Sequence, residues 1–244
     1  MHYLGTMTNI EPENLELLER LELTLRESGV GSKGGYILIS TNYEVTALGG
    51  RALPSTDILF FKGSFDPIHN GHIALFEATR EKYPLSTGVF ALSFQTLKRL
   101  LSHRDLAWRS LLIQRAGYPV VIAKSGYFAD DAEFFRQNYP RSRVIFPVGI
   151  DTLVNLVDYY EVSEFEKLFS GCIFEYCNRD NSSAALPTAY QMLSNINSLG
   201  ENRFPGLSSS LLKQLRRKGK IDILRESMPC GAADLFLSIV NEPD

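Results

Sequence analysis

GSFDPIHNGH, from Gly63 to His72, lies between the apolar run DILFFK and the amphipathic run HIALFEATREKY. This order predicts a strand, a tight turn and a helix. Gly63 suits the turn, because a residue without a side chain lets the backbone bend sharply and lets a ligand come close. The helix is predicted to begin near Asn70 or Gly71, where its free N–H groups and dipole favour a phosphate.

Two histidines stand at the start of this predicted helix. His69 and His72 are three positions apart, so both can share one side of the first turn. The pattern predicts two hydrogen-bond donors beside nucleotide phosphates, aimed at the charge that builds up during displacement. A structural interpretation is the alternative, in which His69 caps a turn and His72 packs within the first helical turn.

Beyond this stretch, short apolar runs rich in Val, Ile and Phe alternate with amphipathic runs. The apolar runs are GVFALS, PVVIA, RVIFPVG and CIFEYC, and the amphipathic ones include DLAWRSLLIQRA, ADDAEFFRQNY and VSEFEKLF. This alternation predicts an α/β fold, a Rossmann-like doubly wound parallel sheet with helices on both faces. Such sheets bind ligands at the carboxyl ends of their strands, near the switch in strand order.

The two ends of the chain differ from this central pattern. We predict an N-terminal extension, residues 1–54, and a second domain, residues 55–244. In the extension, EPENLELLERLELTLRES carries a leucine stripe typical of a helix, with Pro12 in its first turn. YILIS and YEVTAL indicate two short strands that can pair as a hairpin. The C-terminal part predicts two or three packed helices.

Composition excludes several classes of protein. The net charge of −3 gives no basic footprint for duplex nucleic acid, and the apolar runs are too short to span a membrane. Three cysteines do not suggest a disulfide framework, so a reduced, cytoplasmic protein is expected. A metal site at Cys172 and Cys177 is disfavoured. The leucine-rich N-terminal helix can cover the sheet or join subunits, so a homo-oligomer stays open.

The first motif resembles a known family signature. GSFDPIHNGH matches the pattern G-x-F-D-P-x-H-x-G-H of the nucleotidyltransferase (cytidylyltransferase-like) superfamily. A later stretch, GLSSSLLKQLRRKG, resembles the second motif of that superfamily. Serines that open a helix supply hydroxyls and N–H groups for an anion, and Lys213 adds a positive charge. The alternative is a capping serine followed by a solvated basic helix.

The middle of the chain resembles one group of enzymes within this superfamily. Residues 125–156 are similar to bacterial nicotinate/nicotinamide mononucleotide adenylyltransferases, whose G-x-D matches Gly149 and Asp151. Asp151 can accept hydrogen bonds from ribose or base amino groups, or can serve as a helix N-cap. The resemblance makes Arg179 a candidate contact on the adenine or phosphate side. Lys98 and Arg109 can hold phosphates or can be ordinary surface charges.

Two features depart from those enzymes. They carry a tryptophan after G-x-D, where this chain has VDYYEVSEF, so Tyr159 or Tyr160 can stack on a ring or belong to the core. Lys213 stands where arginine is usual, and the two cations bind phosphate differently. The acceptor is therefore less certain from sequence than the superfamily.

The resemblance implies adenylyl transfer from ATP to the phosphate of nicotinate or nicotinamide mononucleotide, with Mg²⁺ held mainly by the ATP phosphates. His69, His72 and Lys213 are the expected catalytic residues. The expected nucleotide-binding residues are Gly63, Ser64, Phe65, Gly71, Gly149, Asp151, Arg179, Ser208, Ser209 and Ser210. Other acceptors stay open: phosphopantetheine with ATP, or a polyol phosphate with CTP. A non-catalytic nucleotide-binding regulator is a further alternative.

Overall fold

The computed structural model describes residues 10–29, 35–49, 53, 57–95, 100–178 and 185–238. Its strands are β1 (Ile37–Ile39), β2 (Val45–Ala47), β3 (Ile58–Lys62), β4 (Thr87–Ser93), β5 (Val120–Ala123), β6 (Val144–Gly149), β7 (Cys172–Asn178) and β8 (Ile196–Glu201). Its helices are α1 (Pro12–Glu27), α2 (Asn70–Lys82), α3 (His103–Arg115), α4 (Phe128–Asn138), α5 (Ile150–Val157), α6 (Val162–Leu168), α7 (Thr188–Gln191), α8 (Ser209–Arg217), α9 (Ile221–Ser227) and α10 (Cys230–Ser238).

The strands form one sheet in the order β2-β1-β5-β4-β3-β6-β7-β8. The strands from β5 to β8 in this order run parallel, and β1 is antiparallel to both β5 and β2. The five predicted central strands are all present as β3 to β7. The parallel α/β prediction is therefore confirmed, whereas the sequence analysis missed β8.

Helices cover both faces of the sheet, because alternate strand residues point to opposite sides. In β3, Leu59 and Phe61 belong to the core under α1, α2, α3 and α8–α10. Ile58 and Phe60 belong to the other core, under α4–α7. Among the described helices, none is long and apolar enough to cross a membrane.

The N-terminal segment packs on the same scaffold. α1 starts at Pro12, as predicted, and packs against α3 with Leu18 and Leu25 fully buried. The predicted hairpin is confirmed, with Ile37 opposite Ala47. β1 then extends the main sheet by pairing with β5. The division of the chain at residue 54 stays a prediction, and the described parts on either side of it share one sheet.

The strand order reverses beside β3. From β3 the chain builds β4 and β5 on one side, and then crosses to build β6, β7 and β8 on the other. β3 and β6 are neighbours, so their carboxyl ends flank the crevice where such sheets bind ligands. Gly63 and Gly149 lie at these two strand ends.

Candidate active site

A cleft lies at the carboxyl ends of β3 and β6 and has a volume of about 150 Å³. Pockets that enclose a whole drug-sized ligand measure about 300–1,000 Å³, so this cleft can enclose only part of a nucleotide. The predicted site residues that line it are Gly63, Ser64, Phe65, His69, Gly71, His72 and Gly149.

The turn after β3 folds back on a phenylalanine ring. A Cβ atom on Gly63 would lie 2.7 Å from the Phe65 ring, so only glycine fits there without a shift of that ring. Phe65 has a left-handed φ of 41° and is buried edge-on against Phe61 and Phe90, each with ring centroids 5.1 Å away. Its ring is thus a core anchor, and a ligand contact from its backbone stays a prediction.

The two histidines stack at the start of α2. Their ring centroids are 3.6 Å apart, and both rings line the cleft. The helix begins at Asn70, as predicted, with His69 as its N-cap. The backbone N–H of His69 donates to Nδ1 of His72 at 3.3 Å, so the neutral His72 ring carries its proton on Nε2. His69 is therefore confirmed as the cap, and the contact of the two rings with a phosphate stays a prediction.

Gly71 leaves room for this pair. A Cβ atom there would lie 3.1 Å from Nδ1 of His69, which is tighter than nearly all real contacts. The Gly71 carbonyl accepts a hydrogen bond of 2.9 Å from Nδ2 of Asn202, which also lines the cleft. Asn202 was not predicted as a site residue, because it follows strand β8, which was itself not predicted.

The late serine motif docks on the first motif. Ser208 caps α8, since its hydroxyl accepts from the Leu211 N–H at 3.2 Å. The hydroxyl of Ser209 donates to the Pro67 carbonyl at 2.8 Å, across 142 residues of chain. Ser210 is exposed in the first turn. Two stretches that are distant in sequence therefore meet at one end of the sheet.

Asp66 forms ion pairs with two cations, and one of them belongs to the late motif. Lys213 Nζ lies 2.6 Å from Oδ2 of Asp66, and Nη2 of Arg109 lies 3.2 Å from the same oxygen. Arg109 also donates to the Ser64 carbonyl at 2.9 Å. Arg109 is buried, so its interpretation as a surface charge is wrong. Asp66 was not among the predicted site residues, although a carboxylate inside the turn between β3 and α2 indicates a cation beside it.

The junction between β6 and α5 borders the cleft from the other side. Gly149 is the N-cap of α5, and Asp151 lies within its first turn. The alternative in which Asp151 is the N-cap is therefore wrong, because the helix starts at Ile150, two residues before the Thr152 start that such a cap requires. Among the described residues, Gly149 and Thr152 line the cleft, and Asp151 does not. Its contact with ribose or base stays a prediction.

Comparison with known proteins agrees with this geometry. Residues 60–215 match the family model described as cytidylyltransferase-like. The chain belongs to this family. The predicted superfamily is thereby confirmed.

Curated relatives of this cytidylyltransferase-like protein carry related names. It is 27% identical over 175 residues to a probable nicotinate-nucleotide adenylyltransferase/Ap4A hydrolase of Mycoplasma genitalium, covering 66% of this chain and 47% of that protein. It is 30% identical over 122 residues to a probable nicotinate-nucleotide adenylyltransferase of Thermomicrobium roseum, covering 44% and 56%. The chain thus spans about half the length of these two relatives.

A solved structure shows the same fold. Plasmodium falciparum nicotinic acid mononucleotide adenylyltransferase, complexed with NaAD, superposes with a TM-score of 0.53 at 14% identity. The match covers 75% of this chain and 95% of that one. This likeness supports the architecture of the cytidylyltransferase-like domain.

Other candidates from the sequence lie outside the cleft or outside the described residues. Arg179 and Lys98 fall in the second group. Tyr159 is 74% exposed, whereas Tyr160 packs edge-on against Phe169 with ring centroids 5.9 Å apart. Cys177 lines the cleft, and burial raises the pKa of its thiol to about 11, so it stays protonated at neutral pH.

The arrangement suits the binding of a polyanion. The site combines the start of α2, the start of α8, two imidazole rings and two cations that share one carboxylate. Helix N-termini and cations favour phosphate, and groups that are already fixed in place need no reorganisation when charge develops.

Proposed function

We propose that this chain transfers the adenylyl group of ATP to the phosphate of a mononucleotide, either nicotinate or nicotinamide mononucleotide. The products are pyrophosphate and a dinucleotide. One observation carries the proposal: Lys213 of the late motif reaches Asp66, in the turn that leads directly to His69 and His72. Two phosphate-binding motifs in one place fit a triphosphate better than a single phosphate.

The reaction needs placement more than acid–base chemistry. A phosphate oxygen of the acceptor forms a bond to the α-phosphorus of ATP, and the bond from that phosphorus to the bridging oxygen breaks in line. Pyrophosphate leaves with the electron pair. No proton has to be removed, because the attacking phosphate is already ionised.

The histidines act on the reacting phosphate. Nε2–H of His72 donates to an α-phosphate oxygen, where negative charge collects as the bonds exchange. His69 stands beside it, and the N–H groups at the start of α2 add the dipole of a 13-residue helix.

The late motif holds the departing phosphates. Lys213 pairs with the β and γ phosphates, and Asp66 keeps it close to them. Ser208 and Ser209 use their hydroxyls to cap α8 and to anchor it on Pro67, so N–H groups of its first turn face the same charge. The proposed nucleotide contacts of Ser210 and Arg179 are retained as part of this proposal.

Mg²⁺ fits this site as a companion of ATP. The ion keeps several waters and prefers phosphate oxygens. The carboxylate in the phosphate-binding turn, Asp66, is already engaged by Lys213 and Arg109. The ATP phosphates would therefore hold the ion, and when bound it would neutralise part of their charge. We also retain a cytoplasmic location and a nucleotide partner as parts of the proposal.

A panel of acceptors tests the proposed function. The purified chain is incubated with ATP or CTP and with nicotinate mononucleotide, nicotinamide mononucleotide, phosphopantetheine or a polyol phosphate, and pyrophosphate is measured. We expect the fastest release with ATP and one of the two pyridine mononucleotides, which agrees with the names of the relatives. Reactions without acceptor give the background hydrolysis.

Two outcomes would replace the proposal. Faster release with CTP and a polyol phosphate, or with ATP and phosphopantetheine, would assign another acceptor to the same chemistry. Tight nucleotide binding in calorimetry without turnover on any acceptor would instead indicate a regulator.

A further inference from the structure

A lysine at the edge of the cleft is linked to the N-terminal segment of the chain through a carboxylate of α4. Lys62 ends β3 and lines the cleft. Its ammonium group forms an ion pair with Oδ2 of Asp131 in α4 and donates to the Tyr127 carbonyl at 3.2 Å. The other oxygen of Asp131 accepts a hydrogen bond of 2.7 Å from the hydroxyl of Tyr36.

This ion pair is removed from water. Asp131 is fully buried, and the side chain of Lys62 is 5% exposed. A buried pair of charges is stable only when its remaining hydrogen-bonding capacity is also satisfied. Burial raises the pKa of the Asp131 carboxyl, and both Lys62 and Tyr36 oppose the rise because each donates to the ionised form. The Tyr36 hydroxyl therefore helps to keep Asp131 charged and Lys62 in place.

Tyr36 is itself fixed against α4. Its ring stacks on Phe134 with centroids 3.9 Å apart and lies 6.3 Å from the ring of Phe135. The residue directly precedes β1 and is buried. The N-terminal segment thus contributes a rigid donor to a charge pair that ends at the cleft.

Lys62 lies on the opposite side of the sheet from the histidines. Strand residues alternate, so Lys62 follows Phe60 toward the layer of α4 and α5, whereas Phe61 faces the layer of α2 and α8. The proposed triphosphate lies on the α2 side. Lys62 therefore borders the part of the cleft left for the acceptor.

We propose that Tyr36 is a positioning residue for the acceptor mononucleotide. Acting through Asp131, it holds Lys62 in place on the acceptor side of the cleft. The N-terminal segment then contributes to the binding of the acceptor. This inference rests on the proposed adenylyl transfer, and it assigns a role that the cytidylyltransferase-like motifs do not contain.

The chain offers a matched control for this test. The hydroxyl of Tyr83 donates at 2.6 Å to Glu175, which is buried and paired with Lys82. Tyr36→Phe and Tyr83→Phe each remove one hydroxyl from a buried carboxylate that is paired with a lysine, but Tyr83 follows the far end of α2. Both variants are expected to fold, and thermal unfolding compares their stability.

Steady-state kinetics and calorimetry separate a positioning role from a structural one. We expect Tyr36→Phe to raise the KM and the Kd of the acceptor mononucleotide at least fivefold, with kcat and the KM of ATP within twofold of wild type. Tyr83→Phe should leave all of them within twofold. In a Lys62→Met background, which should itself raise the acceptor KM, Tyr36→Phe should add nothing, because it acts through the same pair.

The contrary results are distinct. An unchanged acceptor KM in Tyr36→Phe, equal changes in both tyrosine variants, or a full additional effect in the Lys62→Met background would overturn this inference and leave the proposed function intact. If the wild type neither turns over nor binds a mononucleotide, the proposed function fails and this inference fails with it.

Discussion

The two ends of α2 use the same kinds of side chain for different purposes. The helix has 13 residues and is therefore about 20 Å long. Just before its start, Asp66 pairs with Arg109 and Lys213, and His69 stacks on His72. At its end, Lys82 and Tyr83 contact Glu175 of β7.

Glu175 is a buried carboxylate whose hydrogen bonds link neighbouring elements of the scaffold. The carboxylate is fully buried and accepts from Lys82 Nζ at 2.8 and 2.9 Å, from the Tyr83 hydroxyl at 2.6 Å and from Asn197 Nδ2 at 3.1 Å. These contacts join α2 to β7 and β8. Burial and the hydrogen bond to Glu175 both raise the pKa of Tyr83, so it remains a donor at any ordinary pH.

Asp66 is a partly exposed carboxylate in the proposed phosphate-binding turn. Its side chain is 26% exposed, and Arg109 and Lys213 approach the same oxygen. Because Lys213 and Asp66 are both partly exposed, a phosphate can approach Lys213 without opening the core. The contrast separates a buried, completely paired carboxylate, which suits the scaffold, from a partly exposed one shared by two cations, which suits the proposed phosphate site.

The largest expected effect is at the start of α2. His72→Ala removes a donor to the reacting phosphate, so we expect kcat to fall about 10²–10³-fold, or about 2.7–4 kcal/mol in activation free energy. The free energy of unfolding should change far less than this. Pyrophosphate release measures the rate, and a variant as fast as wild type would contradict the assignment of His72.

A smaller effect is expected at the late motif. Lys213→Met should lower kcat/KM about 10- to 150-fold, since a charged hydrogen bond contributes about 1.5–3 kcal/mol. Lys218→Met is the matched control, because Lys218 is exposed at the other end of α8. Equal rates for the two variants would show that the triphosphate does not reach Lys213.

The smallest effect on activity is expected at the end of α2. Glu175→Gln should lower the free energy of unfolding by about 1–3 kcal/mol and leave kcat within twofold. The loss is limited because Lys82 is 42% exposed and can turn to solvent. Denaturant unfolding measures it, with Glu133→Gln on the exposed face of α4 as control. A loss of activity as large as that of Lys213→Met would remove the distinction between the two ends.

Much of this fold follows from local patterns. The central strands are short apolar runs, and the helices between them have amphipathic periods, so both were predicted. β8 was missed because its sequence, INSLGE, is polar and contains Gly200 with a left-handed φ of 82°. An edge strand with one buried residue has little hydrophobic pattern to recognise.

The site was predictable only in part. The His69–His72 pair depends on one turn of helix, and spacing alone predicts it. The meeting of Asp66 with Lys213 depends on where α8 docks, which no local pattern encodes. The burial of Arg109 likewise comes from packing α3 under the turn, so the same sequence was compatible with a surface charge.

The hydrogen bond from Ser209 to the Pro67 carbonyl has a consequence for how activity arises. It closes a loop of 142 residues, and contacts of such long range form late in folding. In the proposed reaction, the histidine pair would therefore form before Lys213 comes into position to bind the triphosphate. Recovery of turnover after denaturation should lag behind recovery of helical signal, and would report completion of the whole architecture.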